Sequence, residues 1–426
     1  MNKTAQELLD FTATCTSPYH TVLTSEKLLA KEGFKQLTLA GKWNLVPGEK
    51  YYVKVFDSAL VAFRLGKQDT RGIKIAAAHT DFPCFRIKPN PEINTEGYGT
   101  LNVEAYGGMI VSTWMDRPLS LAGKVALKSK DPFKPTIELV DFKRPLLSMS
   151  SLAIHMNREV NDGYKWSKQK DVLPLAEMLG EDEKDKKFFS KFLAKELKCK
   201  PADILSFELS AYPVETGCAF GLKEEFLSAG RLDNITSVKA CLDGIIASRA
   251  TKGIQIAALF DNEEVGSRTK QGADSAVLQQ LLERIYALNG HTQEELLADI
   301  AAGFMLSVDV GHALHPNYKE KCDPTNKPVL NGGFLIKQAA SQAYAGDADA
   351  VAVVVALCKA NKVPYQIFVN HGDIKGGSTL GSMESALLSM RTMDVGVPLL
   401  AMHSCRETMG VKDEEALKGL LCAFYA

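Results

Sequence analysis

The sequence lacks paired cysteines, long apolar runs and any marked excess of charge of one sign. Its nine cysteines are scattered and form no Cys-x-x-Cys pair. This spacing argues against a disulfide framework and against a thiolate zinc site, and an odd number of separated thiols is typical of a reducing compartment. We therefore expect a cytoplasmic protein.

Membranes and nucleic acids are not expected partners. The N-terminal segment MNKTAQELLDF has no apolar core of the kind that a secretory signal needs, and no apolar run approaches the roughly 20 residues of a membrane span. The 50 basic and 51 acidic residues are interspersed, whereas phosphate binding needs a basic stripe. The charge run at residues 181–187 mixes both signs and predicts a solvated loop or helix start.

A chain of 426 residues, of which 46% are hydrophobic and 24% charged, has the composition of a globular protein and exceeds the usual size of one core. Short apolar runs alternate with helix-like stretches along it. The runs are residues 73–78, 254–260, 304–308, 365–369 and 397–402, and the helix-like stretches are 234–250, 273–289, 334–345, 347–361 and 378–390. This alternation predicts an α/β fold with a mixed, largely parallel sheet flanked by helices.

Residues 82–217 follow a different pattern. Segments at 101–106 and 124–128 alternate in polarity, with prolines and glycines between them, and no rhythm of helix and strand is visible before the charged region at 184–198. We therefore predict a discontinuous catalytic domain, residues 1–81 and 218–426, interrupted by an inserted and mostly β domain, residues 82–217.

Most of the apolar runs end in histidines or carboxylates, and ligands of such sheets bind outside the carboxyl ends of the strands. Imidazole and carboxylate ligands without thiolates suit zinc, cobalt or manganese in a hydrolytic site. One carboxylate can also bridge two ions about 3.5–4 Å apart. The sequence therefore predicts a two-metal hydrolytic site, with the candidate ligands His79, Asp233, Glu264, Asp309 and His403.

The adjacent carboxylates Glu263 and Glu264 point in different directions in an extended or turning segment, so one can bind metal while its neighbour does not. We assign Glu264 to the metal and Glu263 to the general base, which accepts a proton from water and delivers it to the leaving amine. Asp81 is predicted to orient the imidazole of His79.

Each of these residues also has a purely structural interpretation. A histidine at a strand end is usually hydrogen-bonded, a Glu-Glu pair is usually solvated, Asp233 is a candidate helix N-cap and Asp309 a candidate turn residue. The combination favours a metal site, because chance rarely places compatible ligands at so many strand ends.

Several segments resemble the M18 family of metallopeptidases, the family of aspartyl-aminopeptidase-like enzymes. They are AAAHTD (76–81), LAIHMNR (152–158), GRLDN (230–234), FDNEEVGS (260–267), VDVGHALHPNY (308–318) and MHSCRE (402–407). They occur in the family's order and cover nearly the whole chain. The resemblance implies a binuclear, usually zinc, site in which Asp233 bridges, His79 and Asp309 bind one ion, and Glu264 and His403 bind the other.

The resemblance also implies an assembly. It suggests a dimerisation domain inserted into the catalytic domain and a tetrahedral homododecamer whose active sites face an inner chamber. His155 is similar to a residue that reaches a neighbouring subunit's active site and contacts the substrate there. His312 is similar to a further active-site histidine.

Two segments depart from the family pattern that accompanies an acidic substrate preference. The first segment, residues 337–344, keeps Lys337 and Tyr344 but has Ala343 where an arginine is common in the family. The second segment, residues 371–379, has His371 in place of another arginine. Recognition of an acidic side chain depends on fixed cations. Lys337, His371 and Lys375 can supply positive charge instead, and acceptance of neutral N-terminal residues is the alternative.

The sequence thus predicts an aminopeptidase that hydrolyses peptides from the N-terminus with two divalent cations. One alternative is another binuclear amidohydrolase, an N-acyl amino acid deacylase or a carboxypeptidase, which would need a cation for the substrate carboxylate. A non-catalytic assembly protein on a peptidase fold is the other, but such a chain commonly lacks the base or a ligand, and here Glu263 and all five candidate ligands are present.

Overall fold

A computed structural model of the chain describes residues 2–180 and 187–426. All but the last residue of the charge run at 181–187 lies outside these ranges. Within the described residues, no helix is both long and apolar enough to cross a membrane. The chain forms two compact units: the first comprises Met1–Phe82, Gly217–Met402 and Glu407–Ala426, and the second Pro83–Thr216 and His403–Arg406.

The helices and strands of the described residues are numbered in chain order. The α-helices are α1 (Lys3–Thr14), α2 (Pro18–Lys31), α3 (Phe188–Glu196), α4 (Leu232–Ala247), α5 (Val277–Leu288), α6 (Gln293–Ala302), α7 (Ala348–Asn361), α8 (Leu380–Leu388) and α9 (Asp413–Tyr425). The strands are β1 (Lys35–Leu37), β2 (Lys50–Val55), β3 (Ala59–Leu65), β4 (Asp69–His79), β5 (Cys84–Thr95), β6 (Tyr98–Tyr106), β7 (Leu119–Leu127), β8 (Thr136–Asp141), β9 (Leu175–Met178), β10 (Ile204–Pro213), β11 (Cys218–Phe220), β12 (Phe226–Ala229), β13 (Lys252–Phe260), β14 (Phe304–Val308), β15 (Gly311–His312), β16 (Phe334–Lys337), β17 (Tyr365–Phe368), β18 (Arg391–Gly396), β19 (Pro398–Leu400) and β20 (Glu407–Gly410).

A nine-stranded sheet with the order β1-β2-β3-β13-β4-β14-β18-β16-β17 forms the centre of the first unit. Its middle strands β13, β4, β14 and β18 are parallel to one another, whereas β3 and β16 flank them in the antiparallel sense. The predicted α/β class with a mixed, largely parallel sheet is confirmed.

Both faces of the middle strands are buried, which explains why these strands are continuous apolar runs and not alternating ones. Along β4, Ala76 and Ala78 belong to one apolar cluster, while Ile75 and Ala77 belong to another. Helices α1, α2, α4, α7 and α9 contribute to the first cluster, and α5, α6 and α8 to the second. The sheet therefore lies between two helical layers, and the carboxyl ends of its parallel strands share one edge.

The helix predicted at residues 334–345 is wrong. Phe334–Lys337 is the strand β16, whose four residues are all buried, and no helix follows before α7 begins at Ala348. A short apolar run buried on every side carries no periodicity that separates a strand from a helix. Pairing with β17 and β18 decides the matter here.

The strand predicted at residues 397–402 is shorter and belongs to another sheet. Pro398–Leu400 forms β19 of a five-stranded sheet with the order β11-β12-β20-β19-β15. The preceding segment, Arg391–Gly396, occupies the central sheet as β18. Pro398 cannot donate a ladder hydrogen bond, so it stands at the first position of its strand.

The second unit contains the six-stranded antiparallel sheet β8-β7-β10-β5-β6-β9 and the helix α3, which pack around an apolar cluster of their own. Residues His403–Arg406 belong to this unit through specific contacts. The backbone N–H of Ile110 donates to the His403 carbonyl at 3.1 Å, and the Cys405 N–H donates to Thr113 Oγ1 at 2.9 Å.

Tyr425 near the end of α9 joins two middle strands of the central sheet. Its hydroxyl, which is fully buried, donates to the carbonyl of Ile256 in β13 at 2.5 Å and accepts from the N–H of Ala76 in β4 at 3.1 Å. These two backbone groups are buried, so losing the hydroxyl would leave both without this partner.

We therefore expect Tyr425→Phe to lower the free energy of unfolding by about 1–3 kcal/mol, the cost of unsatisfied buried polar groups. Urea unfolding of the purified protein measures this change. Tyr365→Phe is the matched control, because the Tyr365 hydroxyl makes no hydrogen bond within the described residues. Equal stability of the two variants would contradict the role assigned to Tyr425.

Candidate metal centre and active site

His79 is the last residue of β4 and lies at the centre of a group of buried carboxylates. Its Nε2 stands 3.5 Å from Asp233 Oδ1 and 3.6 Å from Asp309 Oδ1. Asp233 belongs to the first turn of α4, and Asp309 directly follows β14. The parallel strands β4 and β14 are neighbours, so their carboxyl ends bring these residues together.

Asp81 contacts both the imidazole of His79 and the backbone of the two glutamates. Its Oδ1 is 3.3 Å from His79 Nδ1, which also lies 3.0 Å from the Asp81 carbonyl oxygen. The two carboxylate oxygens of Asp81 accept hydrogen bonds from the backbone N–H groups of Glu263 and Glu264, at 3.1 and 3.2 Å. This buried side chain therefore connects the end of β4 to the turn that follows β13.

The glutamate pair lies in a 3₁₀ turn, Glu263–Val265, entered through Asn262 in the left-handed conformation with φ 65°. The side-chain oxygen of Asn262 accepts hydrogen bonds from Thr269 Oγ1 at 2.8 Å and Gln271 Nε2 at 3.1 Å. Asparagine tolerates this conformation better than most residues, and these two bonds hold the turn in place.

Two residues that hold Asp233 were not identified from the sequence. The buried Glu407 accepts a hydrogen bond from the Asp233 backbone N–H at 3.1 Å. The buried Asn234 donates through Nδ2 to the carbonyl of Val308 at 2.9 Å, one residue before Asp309. Asn234 lies in the segment GRLDN and Glu407 in the segment MHSCRE. Membership of these two family motifs was the sequence signal that could have identified both residues.

The candidate ligand atoms stand at distances that fit zinc. One nitrogen or oxygen from each of His79, Asp233 and Asp309 lies within 4.8 Å of the others, and the same holds for His79, Glu263 and Glu264. Ligands bound tetrahedrally at about 2.0–2.1 Å stand about 3.3–3.4 Å apart. The distances of 3.5 and 3.6 Å from His79 Nε2 are close to that value.

Burial and mutual repulsion govern the charges of this group. Burial alone would lower the pKa of the His79 imidazole, but hydrogen-bonded carboxylates, first those of Asp233 and Asp309, outweigh it and raise this pKa. Burial raises the pKa values of Glu263 and Glu264, and neighbouring carboxylates add to the rise. A divalent cation among these oxygens would offset their repulsion.

Lys337 lies behind Asp309 and is buried. Its Nζ donates to the carbonyl of Val310 at 3.0 Å and stands 3.8 Å from Asp309 Oδ2. Burial lowers the pKa of Lys337, but the carboxylates of Asp309 and Asp394 outweigh that effect and raise it. The geometry makes Lys337 a partner of a candidate metal ligand, and its predicted contact with substrate stays a prediction.

His312 and His371 line one cavity of about 240 Å³ in the first unit. The His312 ring packs against Phe368, with centroids 6.1 Å apart. Asp309 precedes His312 by three residues, which span at most about 11 Å. The cavity is therefore close to the carboxylate group, and Lys337 is not among the residues that line it.

The two remaining candidates, His155 and His403, belong to the second unit. His155 is exposed in the 3₁₀ turn Ile154–Met156, between side chains that are 48% and 73% exposed. His403 opens the segment His403–Arg406 in the left-handed conformation with φ 65°. Their roles in metal and substrate binding stay predictions.

The fold and the carboxylate–imidazole group define a metal-dependent hydrolase of the α/β type, and comparisons with known proteins identify the family. The profile of the family described as Aminopeptidase I zinc metalloprotease (M18) matches residues 11–425. A probable M18 family aminopeptidase 2 from Clostridium novyi is 46% identical over 415 residues, with 96% of each chain covered. The chain belongs to the M18 family and is a metallo-aminopeptidase.

Solved structures agree with this assignment. A chain from the cryo-EM structure of the Ape4 and Nbr1 complex is 32% identical and superposes with a TM-score of 0.94, covering 99% of this chain and 85% of that one. The S. cerevisiae mApe1 dodecamer is 27% identical, with a TM-score of 0.85 and coverage of 99% and 96%. The predicted family and enzyme class are confirmed.

Asp81→Asn should weaken zinc binding by about 10–100-fold, the usual effect of losing a partner that orients a metal ligand. An amide has one acceptor oxygen for the two N–H groups of Glu263 and Glu264, and its NH₂ group would face the other donor. Competition with a chromogenic chelator measures the zinc affinity. Asp57→Asn removes the same charge from an exposed turn and should leave this affinity unchanged; equal loss in both variants would contradict the assignment.

Proposed function

We propose that this aminopeptidase uses two divalent cations, with zinc favoured and cobalt or manganese as alternatives, to remove N-terminal residues from peptides. Asp233 would bridge the ions, His79 and Asp309 would bind one of them, and Glu264 and His403 the other. The convergence of His79, Asp233 and Asp309 within 4.8 Å carries the proposal for the first ion. The resemblance of MHSCRE to the family pattern supports His403 as a ligand of the second.

Glu263 is the proposed general base. Bound cations would polarise the scissile carbonyl and lower the pKa of water towards ~7. Glu263 then accepts the proton of the attacking water and passes it to the leaving amine. Its carboxylate is suited to this because Oε2 stands 3.9 Å from His79 Nε2, while its backbone N–H is held by Asp81.

Glu263→Gln should lower kcat by about 10²–10⁴-fold, because an amide cannot accept the proton. Zinc content and thermal unfolding should stay close to those of the original protein. Release of arylamine from an amino-acid arylamide measures kcat, and elemental analysis measures the metal.

Glu294→Gln is the matched control, since it makes the same substitution at an exposed position of α6. It should leave kcat unchanged. Near-normal turnover by Glu263→Gln with a full metal content would exclude Glu263 as the base and leave the metal site intact.

The substrate's first side chain is proposed to enter the cavity lined by His312 and His371. Ala343 supplies no cation, and the His371 Nδ1 accepts a hydrogen bond from the Asp373 backbone N–H at 3.2 Å. With histidine and alanine where the family often has two arginines, we propose that neutral N-terminal residues are accepted as well as aspartate and glutamate.

His371→Arg should therefore raise kcat/KM for aspartyl and glutamyl arylamides relative to leucyl arylamide by about tenfold, the effect of one charge-assisted hydrogen bond. Gln280→Arg adds the same charge on the exposed face of α5 and should leave this ratio unchanged. An N-acyl amino acid should be a poor substrate throughout. An unchanged ratio in His371→Arg would exclude the cavity as the selectivity site.

We also propose that the chain assembles into a tetrahedral homododecamer and functions in the cytoplasm. The mApe1 relative is a dodecamer. In this chain the segment around His155 presents Leu152, Ile154 and Met156 with about half or more of each side chain exposed. Such a segment suits contact with another copy of the chain, where His155 would reach the neighbouring active site. Residues 82–217 would form the dimerisation domain.

A further inference from the structure

A cavity of about 800 Å³ lies at the edge of the central sheet where β4, β13 and β14 begin. The same strands lead at their other ends to His79, Glu263 and Asp309. Ile73 lines the cavity, and the six residue steps from Ile73 to His79 extend roughly 20 Å along β4. The cavity is therefore separate from the candidate active site.

Four basic residues line the cavity, namely Arg71, Lys74, Arg249 and Lys252, together with Ala426, the last residue of the sequence. No aspartate or glutamate side chain is among its lining residues. Arg71 is already neutralised by α6, because its Nε stands 2.5 Å from Asp299 Oδ2 and its Nη1 2.7 Å from Glu295 Oε1. The other three basic side chains form no ion pair with an acidic side chain in the described part of the chain.

Two of these three cations contact backbone carbonyls. Lys74 Nζ donates to the carbonyl of Phe424 at 2.7 Å and to an oxygen of Ala426, the last residue of the sequence, at 3.2 Å. Arg249 Nη1 donates to the carbonyl of Ser248 at 2.9 Å. The contact of Arg249 has a structural explanation, since carbonyls at the end of a helix attract cations and α4 ends at Ala247. Within the described residues Lys252 has no such contact, and the contacts of Arg249 with neutral carbonyls leave its positive charge in place.

Gln255 supplies a second and independent sign of a ligand. It lines the cavity, is only 2% exposed and donates through Nε2 to the carbonyl of Lys252 at 2.9 Å. Its Oε1 is buried and accepts no hydrogen bond from the residues that the structure describes. A buried acceptor without a donor is unfavourable, and a hydroxyl or amino group of a ligand would satisfy this oxygen.

The positive charge extends beyond the lining residues. Arg64 stands opposite Gln255 in the β3–β13 ladder, and its buried Nη1 has no hydrogen-bond partner within the described residues. Burial lowers the pKa of Arg64, and the nearby cation Arg249 lowers it further. Unpaired cations at this edge of the sheet therefore repel one another, which an anion would relieve.

We propose that this cavity binds a small organic phosphate. The phosphate would lie between Arg249 and Lys252, and a hydroxyl or amino group of the ligand would donate to Gln255 Oε1. A volume of about 800 Å³ is within the range of small-molecule sites, and Ile73 and Phe304 offer apolar contacts to the rest of the ligand. Inorganic phosphate alone would fill only part of it.

Isothermal titration at constant ionic strength tests the proposal on the full-length, metal-loaded protein. The probes are AMP and ribose 5-phosphate, each compared with its unphosphorylated form, adenosine or ribose, and with inorganic phosphate. We expect at least one organic phosphate to bind more tightly than its unphosphorylated form and than inorganic phosphate. If neither does, the proposal is overturned.

Variants locate the site. Lys252→Gln should weaken binding of the organic phosphate by about tenfold, the effect of one charge-assisted contact, while Lys359→Gln, the same change on the exposed face of α7, should not. Gln255→Leu should weaken binding of the organic phosphate and leave inorganic phosphate unaffected. Equal affinity of the Lys252→Gln and Lys359→Gln proteins would show that any binding occurs elsewhere and overturn the proposal.

Discussion

The burial of several carboxylates around one imidazole is the constraint on which the rest of the catalytic unit depends. Asp81, Asp233, Glu263 and Asp309 all approach His79 within 4 Å. Like charges at such distances repel strongly in a medium of low dielectric constant. The protein therefore has to hold each carboxylate through other contacts, and bound cations would supply the missing opposite charge.

Those contacts come mainly from backbone groups and buried neighbours. Asp81 receives two backbone N–H groups, Asp233 is held by Glu407 through its own N–H, and Lys337 stands beside Asp309. Each contact joins a different pair of chain segments. The two helical layers bury both faces of the sheet, so the shared edge at the carboxyl ends of the strands is where such segments can meet.

The two edges of the central sheet carry opposite charge. Carboxylates gather where the middle strands end, and cations gather around the cavity where the same strands begin. The amino edge also contains Gln255, whose buried side-chain oxygen accepts no hydrogen bond within the described residues. One sheet thus presents an edge of carboxylates suited to cations and an edge suited to anions, held apart by the length of β4.

The sequence by itself determined the family, most of the middle strands and the set of candidate ligands, because buried strands are apolar runs and the functional motifs are short and local. The strand at 304–308 was predicted with its observed bounds, whereas 334–345 was read as a helix, because a short buried run has no distinguishing period. Tertiary structure decided which atoms meet. Asp81 and Glu263, 182 positions apart, are joined only because β4 and β13 pair in parallel. The contact of Glu407 with Asp233, the contact of Lys337 with Asp309, and the basic cavity likewise depend on pairing between distant segments.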